Sequence, residues 1–240
     1  MGKSYYVASC GFTWRHRELS RRVWEYMGRR WDIPVLRCCV PGFQVEYYEE
    51  KVKPPCREAW KELPHSTQFQ PGDTVYYICH NCANILEESR PGVEVKSIWE
   101  LILTDDSFPY PDYDGQEVTV QDCWRSRERR TEQEAVRELL RRMNFKLVEL
   151  EENFEKTDFC GSSLYRPQVA RNPKLAPRHY DIEAEGKFLP HTEEEQKALM
   201  EEYCKRITTQ QTVCYCHTCL EGLEEGGVQA RHLAQLLFPE

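Results

Sequence analysis

The sequence predicts an α/β protein of two pseudo-symmetric lobes, each with a small parallel sheet flanked by helices and a cysteine-lined metal site. Three observations predict it. Short β-rich runs alternate with amphipathic helical runs, the pattern of parallel strands joined by helical crossovers. One turn occurs twice: "CHNCANILEE" (Cys79–Glu88) and "CHTCLEGLEE" (Cys216–Glu225) agree at Cys, His, Cys, Leu, Glu and Glu. Cysteines also fall at or beside the strand ends, which gather on one edge of a parallel sheet.

Taken in order, "SYYVASCG" is a β-rich run ending at Cys10. The next run is helical, because Leu19, Val23 and Met27 at four-residue spacing share one face. Then come the adjacent pair Cys38 and Cys39, the strand "TVYYI" and the first Cys-His-x-Cys turn. "PGVEVKSIWELIL" (Pro91–Leu103) follows that turn, and "GGVQARHLAQLLF" (Gly226–Phe238) follows its copy. Both have Gly-Val, then a basic residue, then an aliphatic residue with Leu three places on. The second half restarts at "QEVTVQDC", a strand ending at Cys123. Its helix turns Val136, Leu139, Leu140 and Met143 inward, and "FKLVEL" is the next strand.

The Asp-, Pro- and Gly-rich stretch Thr104–Gln116 reads as the boundary, giving lobes 1–108 and 109–240. An insertion at about 162–210 breaks the symmetry: 55 residues separate Cys160 from Cys216, against 39 between Cys39 and Cys79. Its first part reads as a long loop, and its end, from about Thr192 to Ile207, as a helix.

The 240 residues are 40% hydrophobic and 30% charged, a soluble globular composition. A net charge of -8 disfavours nucleic acid as a partner, because the phosphate backbone repels it. Two runs are basic, "WRHRELSRR" (Trp14–Arg22) and "RSRERR" (Arg125–Arg130). They read as solvated helix faces, with an anion-holding role as the alternative. The apolar runs are too short for a membrane span. The first residues lack a signal core, and Tyr6 stands where a myristoylation motif needs Ser or Thr, so a cytoplasmic location is expected. No glycine-rich phosphate loop is present, so any flavin would belong to a partner.

Twelve cysteines in such a chain point to metal ligands more than to disulfides. Clustered thiolates are soft ligands that suit iron–sulfur clusters or zinc. In a Cys-x-x-Cys turn both sulfurs can reach one metal. Cys56 and Cys204 lie outside the repeated pattern and read as structural thiols. His80 and His217, inside the two turns, are weak catalytic candidates as proton donors; alone, each reads as a solvent-facing helix-start residue.

The pattern Cys…Cys-Cys…Cys-x-x-Cys resembles the cysteine-rich CCG domain. That domain occurs twice in the cysteine-rich subunit of heterodisulfide reductase and also in iron–sulfur subunits of organic-acid oxidation. "VQDCWRSR…EAVRELLRRMNFKLVELEENFEKTDFCGS" carries the likeness most visibly. The resemblance implies an iron–sulfur redox protein in which Cys10, Cys38, Cys39, Cys79 and Cys82 bind a noncubane 4Fe-4S cluster. Cys123, Cys160, Cys216 and Cys219 would form a second set of four, for zinc or a second 4Fe-4S cluster. It further implies electron transfer or thiol/disulfide reduction with ferredoxin-like or flavin-containing partner subunits. The substrate would be a small thiol, a disulfide or an organic acid.

The chain departs from the family in named places. Val40 follows the first cysteine pair where the family has Gly, and Gln121 replaces a His. Phe159 stands where the second pair should begin, and phenylalanine cannot bind iron. Four thiolates suit tetrahedral zinc or an ordinary cubane cluster, and Cys214 is a candidate fifth ligand. The competing expectation is a non-catalytic module, stabilised by zinc or a cluster, that binds a partner or senses redox state.

Overall fold

The computed structural model describes residues 2–239. The chain forms two compact units, one running through Ile98 and the other spanning Trp99–Pro239. Each contains a four-stranded, all-parallel sheet with helical crossovers.

In the first lobe, β1 (Ser4–Val7) leads through α1 (Cys10–Arg15) and α2 (Arg17–Trp31) to β2 (Val35–Leu36). The chain then runs through α3 (Val45–Lys51) and α4 (Cys56–Glu62) to β3 (Thr74–Tyr77), α5 (His80–Ser89) and β4 (Glu94–Ser97). The strand order is β2-β1-β3-β4. In register, Tyr6 pairs with Val35 on one side and Tyr76 on the other. Helix α2 buries Leu19, Val23 and Met27, the expected stripe, together with Trp24. Trp24 packs on Trp60 of α4 with ring centroids 5.7 Å apart. Burying such a pair removes a few hundred Å² of apolar surface from water, worth several kcal/mol at about 25 cal/mol per Å². Asp32, in the left-handed region at φ 52°, ends α2, its N–H reaching the Gly28 carbonyl.

In the second unit, α6 (Ile98–Leu103), whose first residue closes the first unit, precedes β5 (Glu117–Gln121), α7 (Arg130–Arg142) and β6 (Lys146–Glu149). The insertion carries α8 (Arg171–Leu175), a π-helical turn (Arg178–Ile182) and α9 (Glu193–Cys204). Then follow β7 (Gln211–Cys214), α10 (His217–Glu225), β8 (Ala230–His232) and α11 (Leu233–Leu237). The order β6-β5-β7-β8 repeats that of the first lobe strand for strand. Helix α7 buries Val136, Leu139 and Leu140, and Met143 at its C-cap is fully buried.

Two expectations change. The units divide at Ile98/Trp99, upstream of the expected 108/109 boundary. Residues 99–108 pack on the second unit: Trp99 faces His232 at 5.9 Å and Phe108 faces Phe238 at 5.5 Å. Arg142 Nη1 also donates to the Leu103 carbonyl at 3.1 Å. The first part of the insertion is not one long loop but a series of short helical turns. The helix at its end forms as expected. Thr192 and Glu195 make a capping box there, each side chain bonding the other's backbone N–H.

Candidate metal centres

In an open parallel sheet, ligands gather beyond the carboxyl ends of the strands where strand order reverses. That point lies between β1 and β3 in the first lobe and between β5 and β7 in the second. Cys10 begins α1 just past β1, Cys38 lies two positions past β2, and Cys79 two positions past β3. In the second lobe Gln121 and Cys214 are register partners, and Cys123 and Cys216 each lie two positions further on. The repeated turn therefore puts a thiol at the same point of each sheet.

Helix geometry refines that placement. Cys79 and Cys216 are N-caps in extended conformation, and Cys82 and Cys219 sit in the first turns of α5 and α10. All nine candidate ligands are buried. His80 and His217 are also buried, at the first positions of α5 and α10, so the solvent-facing reading does not hold.

In the first lobe the thiols of Cys10 and Cys38 lie 3.9 Å apart. The Cys82 thiol contacts those of Cys39 and Cys79; these contacts, with burial, push its pKa far up. A pair and a trio are thus joined through the adjacent residues Cys38 and Cys39. Two features of β1 and the turn after it attend them. Ser9 adopts φ 64° and ψ 119°, a region L-residues rarely enter, and its Oγ accepts from the Phe12 N–H at 3.4 Å. The Tyr6 hydroxyl is buried with no hydrogen-bond partner, and burial and the nearby Cys82 and Cys79 push its pKa far up. A phenol so placed stays protonated.

In the second lobe the thiols of Cys123 and Cys160 are 3.8 Å apart, and Cys123 also contacts Cys216 and Cys219. Four sulfurs therefore converge. A tetrahedral metal with bonds of about 2.3 Å has sulfur–sulfur edges of about 3.8 Å, the spacing of Cys123 and Cys160. Burial opposes the Cys160 thiolate. Hydrogen bonding with Cys123, the Arg125 charge and the Ser163 hydroxyl at 3.2 Å outweigh it and bring its pKa to about 7.

Gly161 explains why Cys160 reaches the set. Its φ is +57°, and a Cβ there would lie 1.9 Å from the Thr218 carbonyl oxygen. Only glycine lets this turn lie against the start of α10. Phe159, in place of a fifth thiol, stacks on Tyr203 of α9 at 4.2 Å, and the Tyr203 hydroxyl donates to Gln121 Oε1 at 2.8 Å. The insertion thus fills the position that a cysteine holds in the first lobe. Cys214 turns to other partners: its thiol donates to the Cys216 carbonyl at 3.7 Å and packs in the core with Cys204 and Met200. Cys204 lies against Gly226, and Cys56 donates to Glu18 at 3.0 Å, both in structural roles.

Sequence reasoning missed several residues. Asp122 and Tyr215, each directly before a candidate ligand, are hydrogen-bonded to one another at 2.6 Å. Asp122 is fully buried and receives both Arg137 Nη groups at 2.8 Å. Outer groups of this kind hold ligands in place. Adjacency to Cys123 and Cys216 was the available signal. Arg125 was assigned to a solvated face; the structure buries it instead.

No protein-family model matches the chain, and neither does any curated protein. Among solved structures, it is similar to an aspartate racemase homologue from Pyrococcus horikoshii OT3, at 11% identity and a TM-score of 0.28 over 98% of this chain and 95% of that one. A likeness so slight bears on neither fold nor function. No helix among the described residues is long and apolar enough to cross a membrane.

Proposed function

We propose that this chain is an iron–sulfur redox protein of the CCG-domain type, similar to the cysteine-rich subunit of heterodisulfide reductase. Cys10, Cys38, Cys39, Cys79 and Cys82 would hold a noncubane 4Fe-4S cluster. The protein would transfer electrons, or reduce a small thiol or disulfide substrate, together with partner redox subunits. One observation carries this reading: five buried thiols follow the carboxyl ends of three neighbouring strands of one sheet, one more than a tetrahedral ion takes. When bound, such a cluster takes up and releases electrons and offers iron with affinity for a thiolate sulfur.

The chain's own residues bind and shield. The Cys82 thiol is held neutral by burial among other thiols, so loading expels its proton. Val7, Ala8 and Ile78, beside Cys10 and Cys79 in the chain, are buried. Tyr6 keeps its proton and can donate a hydrogen bond to an acceptor beside Cys79 and Cys82.

The meeting of Cys123 with three other thiols in the second lobe, and Phe159 in place of a fifth, favours a second reading for that lobe alone: a closed zinc site that stabilises the fold. Metal and acid-labile sulfide content after anaerobic purification, with electron paramagnetic resonance of both redox states, tests the whole. About four irons with matching sulfide and about one zinc per chain is the expected result. Zinc without sulfide would overturn the redox function and leave a metal-stabilised binding module.

A further inference from the structure

Arg125 lies two positions past Cys123 with only 6% of its surface exposed. A buried guanidinium normally faces a carboxylate. Arg125 forms no carboxylate pair among the described residues, and its Nε has no partner. Its Nη1 donates to the Thr218 hydroxyl at 3.5 Å, and that hydroxyl lies 3.2 Å from the Cys216 sulfur. Its Nη2 donates to Gln168 Oε1 at 3.3 Å. The rings of Tyr180 and Phe188 flank it, at 5.6 and 5.4 Å from the guanidinium carbon. Gln168, Tyr180 and Phe188 all come from the insertion, in a segment 55 residues long against 39 in the first lobe. Burial opposes the Arg125 charge; Cys160, Tyr180, Cys123 and Cys216 favour it.

Charge arithmetic supplies the reason. Four thiolates around one zinc ion, or around a cubane 4Fe-4S cluster in its oxidised form, carry a net charge of about -2. Burying that charge is costly unless a cation sits beside it. We propose that Arg125 is a positioning residue for the second cysteine set: caged by the insertion, its guanidinium is the fixed counter-charge of a dianionic four-thiolate centre. The inference rests on the reading that Cys123, Cys160, Cys216 and Cys219 hold a metal. It also gives the insertion a task, which is to keep this cation dry and in place. Other contacts point the same way. Glu183 pairs with Arg127, Arg178 with Glu128 at 3.0 Å, and Phe188 packs edge-on against Trp124 at 5.5 Å.

The test uses the full chain, purified anaerobically. The metal lost in Cys219→Ser relative to the unaltered protein defines the second set, and its sulfide content separates zinc from a cluster. Release of that metal to a chromogenic chelator is then timed in Arg125→Met and Arg125→Lys. Release from Arg125→Met is expected to be at least about tenfold faster, the scale on which outer groups affect metal sites. Arg125→Lys should recover most of the difference, because it restores charge without the planar fork. In cobalt-substituted protein, the sulfur-to-metal charge-transfer band should shift in Arg125→Met and return in Arg125→Lys. Should Arg125→Met not fold, Gln168→Ala loosens the same guanidinium and should accelerate release in the same direction. Equal release rates in a loaded protein, or no recovery by lysine, would overturn the inference alone. No metal loss in Cys219→Ser would overturn both the inference and the metal reading beneath it.

Discussion

The two lobes share a strand order and a repeated cysteine turn, yet they surround their thiols differently. The first offers five sulfurs and an unpartnered phenol. The second offers four sulfurs, a buried guanidinium and a phenylalanine in the fifth position, packed under the inserted helix. Under the proposed function, the same backbone plan would support two chemistries. An extra soft ligand and a neutral donor suit a centre whose charge changes; a closed set of four with a fixed cation suits one whose charge does not.

The comparison breaks most readily at the ligands. Cys216→Ser with Cys219→Ser should unfold the second lobe, since a structural thiolate–zinc site can contribute on the order of 10 kcal/mol. Cys79→Ser with Cys82→Ser should abolish the iron signal and leave the chain folded. Circular dichroism and metal content on both double variants would check this, and equal destabilisation would refute the division of roles.

Next in size is the buried carboxylate. Asp122→Asn strips the charge facing Arg137 in a fully buried site and should cost about 3–5 kcal/mol in a denaturant titration. Gly161→Ala should cost a comparable few kcal/mol, because its Cβ would strike the Thr218 carbonyl at positive φ. Val40→Gly, at the corresponding place in the first lobe, should change stability by about 1 kcal/mol or less. A tolerated Gly161→Ala would mean that the Cys160 turn does not depend on this close approach.

Phe159→Cys asks whether the fifth thiol decides what the second lobe holds. Loss of the stack on Tyr203 should cost about 2–4 kcal/mol. Iron content rising above that of the unaltered chain would mean that ligand number sets the centre; unchanged content would assign the choice to the surrounding cation and cover. The smallest effect is expected from Tyr6→Phe. Removing an unpartnered buried hydroxyl should leave the metal-free protein as stable or about 1 kcal/mol more stable. In loaded protein it should alter the potential or the paramagnetic spectrum, and an unaltered spectrum would show that the phenol is not directed at the centre.

Much of this plan could be read along the chain because it is local. Alternating strand and helix runs specify a parallel sheet, the faces of α2 and α7 follow from their spacing, and the Cys-His-x-Cys turn announces its own repeat. The candidate thiols follow from where strands end. The arrangement around them does not, because it depends on residues far apart in the chain. Arg125 looked like one of several surface cations until Gln168, Tyr180 and Phe188 closed over it. Phe159 looked like a missing ligand until Tyr203 stacked on it, and Asp122 was silent until Arg137 and Tyr215 met it. Periodicity and spacing record which face a residue takes. Burial of a charge, and what balances it, is decided only when distant segments pack together.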